Sequence, residues 1–342
     1  SGDGEKVTIT ARGRIAVAGT NQERLVSIGT PVENRMRNAA LSRDGDWVYS
    51  ISDAAGELEL WKYSASGSDE SERLTSGGQS LRATFEESPD GKWIAHDDGV
   101  GGLWLLNTRT GDNHQVVTDG HAFSDFSQLA FSPDSSLLAF RYTSRDEVRF
   151  QVVLHDIESK RQETLTSTRY QSFAPVFSPD GKWLYYLSDR NFTQAEGSVW
   201  SDRDMGPALT KRTGVFAHAL TGDAEFPFQV PTELTPDSED KEEEKAEENN
   251  EETAPVEVDW DGLKDRIWQV PASAGDYSDL AINEEYLYLK AAGSDASDIK
   301  VLKMEPLAEA ADFTGGVVLM QLSDDGKQML VVKKEDEQYP MY

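Results

Sequence analysis

A short segment recurs along this chain at a nearly constant interval, and no other feature constrains the fold as strongly. Four copies read almost alike around Asp44, Asp90, Asp134 and Asp180, which are spaced by 46, 44 and 46 residues. The clearest copy is Val-Phe-Ser-Pro-Asp-Gly-Lys-Trp-Leu-Tyr at residues 176–185. Repeats with a period of about 20 to 50 residues are typical of propellers, solenoids and arrays.

Three weaker copies extend the series to seven. Ser-Gly-Asp-Gly-Glu-Lys-Val stands at residues 1–7, Asn-Glu-Glu-Tyr-Leu-Tyr at 283–288 and Ser-Asp-Asp-Gly-Lys-Gln-Met-Leu at 323–330. Asp3 lies 41 residues before Asp44, and Asn283 lies 42 residues before Asp325. The sequence therefore predicts seven structural units of similar size.

Each copy has the composition of a β-hairpin. Pro fixes φ, Asp bonds backbone near itself and Gly accepts a positive φ, which together favour a tight turn. An aromatic and branched run follows the turn, a third alternating run comes later, as at 57–63, and a weaker fourth follows, as at 71–75. Four antiparallel strands in each period are typical of propeller blades. We predict an all-β fold, a seven-bladed β-propeller of four-stranded antiparallel blades with the first and last incomplete. A six-bladed ring closed by joining the termini is the alternative.

One interval is more than twice the period, between Asp180 and Asn283. Within it, ten of the sixteen residues of Asp237–Glu252 are Asp or Glu and two are Lys. Such a run buries no apolar surface, and it lacks the ordered spacing of a calcium loop. We therefore predict one propeller domain over 1–342, in which 237–252 is a disordered acidic loop within a single blade.

Charge and cysteine content exclude several classes of partner and site. Asp and Glu number 62 against 33 Lys and Arg, which leaves a net charge of -29. Nucleic acid and anionic membranes would repel such a chain, so we expect neither as a partner. There is no cysteine, which excludes thiolate metal sites and thiol nucleophiles.

The common catalytic and cofactor motifs are missing. The sequence has no Gly-x-Ser-x-Gly elbow, no phosphate-binding glycine loop and no His-Glu-x-x-His. His155 and Asp156 are adjacent in a predicted strand and would point to opposite faces, so they cannot share a metal. We expect structural or surface roles for the five histidines. The sequence thus predicts no catalytic residue, no cofactor and no metal site in this chain.

The repeat Asp residues are interpreted as turn formers rather than as an acidic ring, because turn formation also explains the flanking Pro and Gly. Three Trp residues follow a repeat Asp by three positions and are interpreted as blade packing: Trp47, Trp93 and Trp183.

Four arginines precede the first strand of a repeat unit: Arg35, Arg37, Arg82 and Arg169. The innermost strands of a propeller line its central channel, so residues at strand entry can face one mouth. We predict these arginines as channel residues that attract carboxylates such as peptide C-termini. Surface arginines paired with neighbouring acids are the alternative.

The Ser-Pro-Asp-Gly hairpins resemble the propeller repeats of the TolB translocation protein, the prolyl oligopeptidase group and the tricorn proteases. The long interval resembles only the second propeller of tricorn-like serine peptidases, over essentially the whole chain. The segments that carry this resemblance are Tyr-Leu-Ser-Asp-Arg-Asn-Phe at 186–192, Phe-Ala-His-Ala-Leu at 216–220, Pro-Phe at 227–228, the acidic run, Val-Asp-Trp-Asp-Gly-Leu-Lys-Asp-Arg-Ile at 258–267, Val-Pro at 270–271 and Gly-Asp-Tyr at 275–277.

This resemblance implies a non-catalytic, seven-bladed domain of a serine peptidase that gates and steers oligopeptides to a catalytic core. It also implies PDZ-like and catalytic domains in the same parent chain and a large homo-oligomer. Nothing in the sequence matches those domains, so no catalytic residue carries over. A TolB-like module for protein interaction is the alternative, which leaves the long interval unexplained. The chain lacks an initiator Met, and we expect it to be cut from a longer protein. We expect a cytoplasmic location, with a periplasmic or exported one as the alternative.

Overall fold

The computed structural model describes residues 4–20, 24–29, 34–78, 81–120, 126–194, 209–230, 255–293, 296–335, 338 and 340–341. These residues form 26 β-strands and a short 3₁₀ helix at Leu263–Asp265. Among them, no helix has the length and apolar character needed to cross a membrane. Residues 237–252, predicted as a disordered acidic loop, lie outside the described part of the chain.

Most strands belong to six sheets whose neighbouring strands are all antiparallel. The first sheet holds β1 to β3, at Lys6–Ala11, Arg14–Gly19 and Leu25–Ile28. The second holds β4 to β7, at Met36–Leu41, Trp47–Ser52, Glu59–Ser64 and Ser71–Arg73. The third holds β8 to β11, at Phe85–Glu87, Trp93–Asp97, Leu103–Asn107 and Asn113–Val117.

The remaining sheets follow the same order along the chain. The fourth holds β12 to β15, at Leu129–Phe131, Leu137–Tyr142, Gln151–Asp156 and Gln162–Thr164. The fifth holds β16, β17, β20 and β21, at Ser172–Phe177, Trp183–Ser188, Gly214–Ala219 and Ile267–Gln269, and a small ribbon holds β18 and β19, at Thr193–Gln194 and Leu209–Thr210. The sixth holds β22 to β26, at Tyr277–Ile282, Tyr286–Ala291, Ser297–Lys303, Ala311–Leu322 and Met329–Lys333.

The hydrophobic core lies between consecutive sheets. Leu154 of the fourth sheet and Leu184 of the fifth share one buried cluster, and Leu187 of the fifth shares another with Leu289 of the sixth. The first strands of neighbouring sheets also lie side by side, as β12 lies beside β16 and β16 beside β22. The predicted all-β propeller is confirmed: antiparallel sheets, four-stranded from the second to the fifth, pack face to face, and the first strands of the third to sixth sheets line the centre.

The seventh repeat copy explains why the sixth sheet has five strands. The beginning of β25 pairs with β24, and the end of β25 pairs with β26 across the turn at 323–326. An isolated antiparallel bridge joins Val332 in β26 to Met341. The described residues thus show six sheets, with the last repeat copy as a hairpin joined to the sixth through β25. Residues 1–3 of the first copy lie outside the described part.

The first sheet and the last hairpin lie against each other, and among the described residues no strand pairing joins them. Gly4 lies against Gln328, so close that a Cβ on Gly4 would be 2.9 Å from the Gln328 amide oxygen. Arg43 in the second sheet's turn forms an ion pair with Asp324 in the last turn, and its Nη2 lies 3.3 Å from Glu86 Oε1 in the third sheet. Charged side chains therefore join the last hairpin to the second and third sheets.

The repeat turn is built by one pair of side chains. In five copies the repeat Ser hydroxyl donates to Asp Oδ1 at 2.5 to 2.7 Å, and this oxygen also accepts a backbone N–H two residues later at 3.0 to 3.1 Å. The Ser Oγ accepts the backbone N–H five residues later at 2.9 to 3.0 Å. The interpretation of Asp44, Asp90, Asp134 and Asp180 as turn residues is confirmed.

The three repeat Trp side chains have different surroundings. Trp183 is 1% exposed and lies against Phe226, with 5.2 Å between ring centroids. Trp47 and Trp93 are half-buried, with the Lys62 ammonium 4.9 Å from the Trp47 ring centroid and the His114 ring 5.8 Å from Trp93. Trp183 and Trp93 therefore pack as the sequence predicts, Trp183 within a buried cluster and Trp93 against the one between the third and fourth sheets.

Ser178→Ala is expected to lower the free energy of unfolding by about 1 to 2 kcal/mol, because it leaves the buried Trp183 N–H without its acceptor. Urea denaturation of the purified chain measures this loss. Ser323→Ala is the matched control, since it removes the same two bonds from an exposed turn where water replaces them. Equal losses in the two variants would contradict the argument.

Candidate functional site

A cavity of about 450 Å³ lies where the first strands of the fourth, fifth and sixth sheets converge. Its wall includes Gln128 just before β12, Ala174 and Pro175 in β16, and Ser278 and Asp279 in β22. These strands face the centre of the propeller. The cavity is therefore part of the wall of the central channel, and its size is that of an ordinary ligand pocket.

Several first strands carry a β-bulge at the channel wall. The pairing register shifts between Arg37 and Ala40 in β4, between Phe173 and Val176 in β16, and between Tyr277 and Asp279 in β22. A bulge bends its strand and turns backbone groups away from the ladder. The wall is consequently uneven and exposes polar groups towards neighbouring sheets.

In each fully described repeat copy, one residue closes the hairpin with its backbone N–H. When the copies are aligned by that residue, one position on the channel wall holds a polar side chain in most of them. This wall position lies four residues before the closing residue, and it holds Asn38, Thr84, Gln128, Ala174, Asp279 and, in the last copy, Leu319. Its side chains bond to the neighbouring sheet: Asn38 Nδ2 donates to the Ala83 carbonyl, and Gln128 Oε1 accepts the Ala174 N–H at 2.9 Å. The wall position thus links blades side by side.

Asp279 and Lys290 are the charged residues of this cavity, and they face each other across β22 and β23. Asp279 Oδ1 accepts the Leu280 N–H at 2.9 Å, while Lys290 Nζ donates to the Val318 carbonyl at 2.8 Å. Burial raises the pKa of the Asp279 carboxyl, and the Leu280 N–H and the Lys290 charge partly oppose this rise. The cavity therefore offers one carboxylate and one ammonium group to a bound molecule.

The four predicted channel arginines differ in their surroundings. Arg35, Arg37 and Arg169 are exposed, and the backbone N–H of Arg35 donates to Asp53 Oδ1 at 2.7 Å. Arg37 lies in the bulged part of β4. None of the four lines the cavity between the fourth, fifth and sixth sheets. The channel role of Arg35, Arg37 and Arg169 stays a prediction.

Arg82 lies in a buried polar network between the second and third sheets. Its Nε is 3.2 Å from Glu59 Oε2, and the two side chains are only 7% and 3% exposed. Its Nη1 donates to the Asp97 carbonyl at 2.8 Å and lies 3.1 Å from His96 Nδ1. These contacts are those of a residue that joins two blades.

Glu59 and His96 complete this network. Thr75 Oγ1 and the Gly78 N–H donate to the Glu59 carboxylate at 2.5 and 2.7 Å. Burial, and then the Arg82 charge, lower the pKa of His96 to about 4. A neutral His96 can accept the Arg82 N–H on Nδ1 and donate from Nε2 to Asn113 Oδ1, 3.1 Å away.

The other histidines that the structure describes lie apart from the cavity. His155 and His218 are buried in β14 and β20, His114 is half-buried in β11, and His121 lies outside the described residues. Within the described ranges, no group of three or more His, Asp or Glu residues is placed to hold a metal ion.

Sequence comparison adds to this geometry. A family model described as the tricorn protease second β-propeller domain matches residues 1–340. The chain belongs to this family. Tricorn protease homolog 1 of Streptomyces coelicolor is 28% identical over 264 residues, which cover 76% of this chain and 24% of that protein. The tricorn protease homolog of Saccharolobus solfataricus is 21% identical over 347 residues, which cover 97% of this chain and 29% of that protein.

The solved structure of the tricorn protease shows the same fold. It superimposes with a TM-score of 0.79 and 16% identity, over 99% of this chain and 32% of that one. This tricorn second propeller therefore spans about a quarter to a third of the length of these three proteins.

No sequence motif marks the cavity residues Asp279 and Lys290. The available signal was the wall position itself, because a polar residue recurs four positions before the hairpin closes in most copies. In a propeller, the first strand of each blade lies beside the neighbouring blades. A polar side chain that recurs there therefore either bonds to a polar group of the next blade or faces the channel.

Proposed function

We propose that this tricorn second propeller is the non-catalytic domain that gates and steers oligopeptides towards a serine-peptidase core elsewhere in its parent protein. The observation that carries the proposal is the cavity among the first strands β12, β16 and β22, whose wall is polar and bulged. In the parent, the partners would be oligopeptides, PDZ-like and catalytic domains, and further copies of the same chain. The proposed location in the cytoplasm stays a prediction.

The wall suits extended peptides of varied sequence. Hydroxyl, amide and backbone groups bond to peptide backbone, which every oligopeptide shares. Selection would then follow from channel width, since a folded protein is wider than an extended chain. The blades are joined at the wall by side-chain bonds such as that of Gln128 to Ala174, so a small shift between sheets changes the width.

Ser127→Trp tests this proposal, because Ser127 is exposed and lines the cavity, so that an indole there would obstruct it. We expect the affinity for labelled oligopeptides, measured by fluorescence anisotropy, to fall at least severalfold. In the parent peptidase, the same change is expected to slow hydrolysis of long peptides more than that of short chromogenic ones. Ser159→Trp, in an exposed loop away from the cavity, is the control.

Two results would contradict the proposal. The first is peptide binding that Ser127→Trp and Ser159→Trp leave equally strong. The second is robust, inhibitor-sensitive peptide hydrolysis by the isolated chain, which would place a catalytic site in the propeller itself.

A further inference from the structure

The wall position of the sixth sheet differs from those of the other sheets because it holds a carboxylate. Asn38 and Gln128, at the same position in the second and fourth sheets, both bond to backbone of the next sheet. Asp279 instead uses Oδ1 on the Leu280 N–H of its own strand. The other carboxylate oxygen, Oδ2, has no hydrogen-bond or ion-pair partner among the described residues.

Lys290 does not pair with Asp279 Oδ2, although it stands directly opposite Asp279 in the pairing register. Its ammonium group donates to the Val318 carbonyl at 2.8 Å and so is turned towards β25. No ion pair joins Asp279 and Lys290 within 4.0 Å in the described part of the chain. A carboxylate in a partly dehydrated wall with one oxygen unpaired favours a ligand that donates hydrogen bonds and carries positive charge.

The charge of the whole molecule points the same way. A net charge of -29 raises the local concentration of cations and repels carboxylates. Arg82, which was predicted to offer positive charge to peptide C-termini, is engaged by Glu59. The field and the cavity therefore both favour a cationic group.

We propose that Asp279 is a subsite that binds a cationic group of an oligopeptide in the channel, either its α-ammonium group or a Lys or Arg side chain. This inference rests on the proposed function, because it assumes that oligopeptides enter the cavity. In the subsite, Asp279 Oδ2 accepts hydrogen bonds from the cation, and Ser278 and Gln128 lie beside it in the same cavity. The channel would then prefer peptides that present positive charge.

The test compares peptides that differ in one cation. A peptide labelled at its C-terminus is prepared with a free or an acetylated N-terminus, and with Lys or norleucine at an internal position. Fluorescence anisotropy with the wild-type chain is expected to show about tenfold weaker binding when the relevant cation is removed. If only acetylation weakens peptide binding, the subsite binds the α-ammonium group. If only norleucine substitution weakens it, the subsite binds the Lys side chain.

Asp279→Asn keeps the shape of the side chain and is expected to abolish this preference. Asp312→Asn is the matched control, since the Asp312 side chain is 89% exposed and, among the described residues, forms an ion pair with Lys300 alone. Lys290→Met removes the positive charge opposite Asp279 and is expected to strengthen binding of the cationic peptide. Urea midpoints of the three variants show whether each remains folded.

The possible failures are distinguishable. If the peptides bind but neither acetylation nor norleucine substitution weakens their binding, the subsite is overturned and the channel function stands. The same holds if Asp279→Asn retains the preference for cationic peptides. If no peptide binds the wild-type chain, both the subsite and the proposed function are overturned.

Discussion

Arg82→Ala is expected to lower the free energy of unfolding by about 3 to 5 kcal/mol, because it leaves the Glu59 carboxylate buried without its charged partner. Both side chains are less than a tenth exposed, so water cannot replace the guanidinium. The Asp97 carbonyl and His96 Nδ1 lose a donor in the same variant. Urea denaturation followed by tryptophan fluorescence measures the loss.

Two further variants sharpen this test. Arg169→Ala, at an exposed arginine of the predicted channel set, is expected to change the free energy of unfolding by no more than about 0.5 kcal/mol. The double replacement Glu59→Leu with Arg82→Leu is expected to recover much of the loss, because it removes both buried charges. An Arg82→Ala loss below about 1 kcal/mol would contradict the structural role.

This result affects how the channel arginines are tested. Loss of peptide binding in Arg82→Ala would report damage to the junction between the second and third sheets rather than a missing channel charge. Arg35, Arg37 and Arg169 are exposed and are therefore the informative positions for electrostatic steering.

His218→Phe is expected to make the stability of the chain less sensitive to acid. His218 is fully buried in β20 and stacks on Tyr186, with 5.4 Å between ring centroids. Burial lowers the pKa of His218 to about 4, and the charges of Arg190 and Arg266 contribute to the lowering. Phe has a similar shape and does not titrate, so the variant removes one proton-binding site from the unfolded chain.

The direction follows from proton binding in the two states. An unfolded His binds a proton near pH 6.5, whereas folded His218 stays neutral down to about pH 4. Between these values the unfolded chain binds more protons, so the free energy of unfolding falls as the pH falls. From pH 7 to pH 5 this one group accounts for about 2 kcal/mol, and the variant should lose that much less than the wild type.

Urea denaturation of both proteins at the two pH values measures this difference. Glu87, whose pKa burial raises to about 7, acts in the opposite direction and cancels because both proteins contain it. His114→Phe, at a half-buried ring, is the control and should change the acid sensitivity less. The same acid sensitivity in His218→Phe and wild type would show that His218 does not stay neutral in the folded state.

Much of the fold is predictable because the repeat turn depends on residues close together in the sequence. The Ser hydroxyl, the Asp carboxylate and two backbone N–H groups lie within six residues, so the same pattern produces the same hairpin in each copy. The order of strands then follows from short connections between neighbours. The sequence does not predict that β25 belongs to two repeat units, because the repeat pattern does not show whether neighbouring units share a strand.

The candidate site was much less predictable from the sequence. Arg82 and Arg169 occupy similar places before a first strand, yet one is buried against Glu59 and the other is exposed. The difference lies in the partner of Arg82, because Glu59 is 23 residues earlier in the chain and belongs to a different sheet. Asp279 likewise has no motif around it, and its importance comes from the three first strands that meet beside it.

The sequence by itself determined the all-β propeller, the hairpin turns and the tricorn family, since each depends on residues near one another in a repeated order. Tertiary structure alone decided which charged groups are buried, where the bulged first strands leave a cavity, and that a carboxylate lines it. The physical reason is that burial and charge pairing depend on contacts between blades, which join residues far apart in the chain.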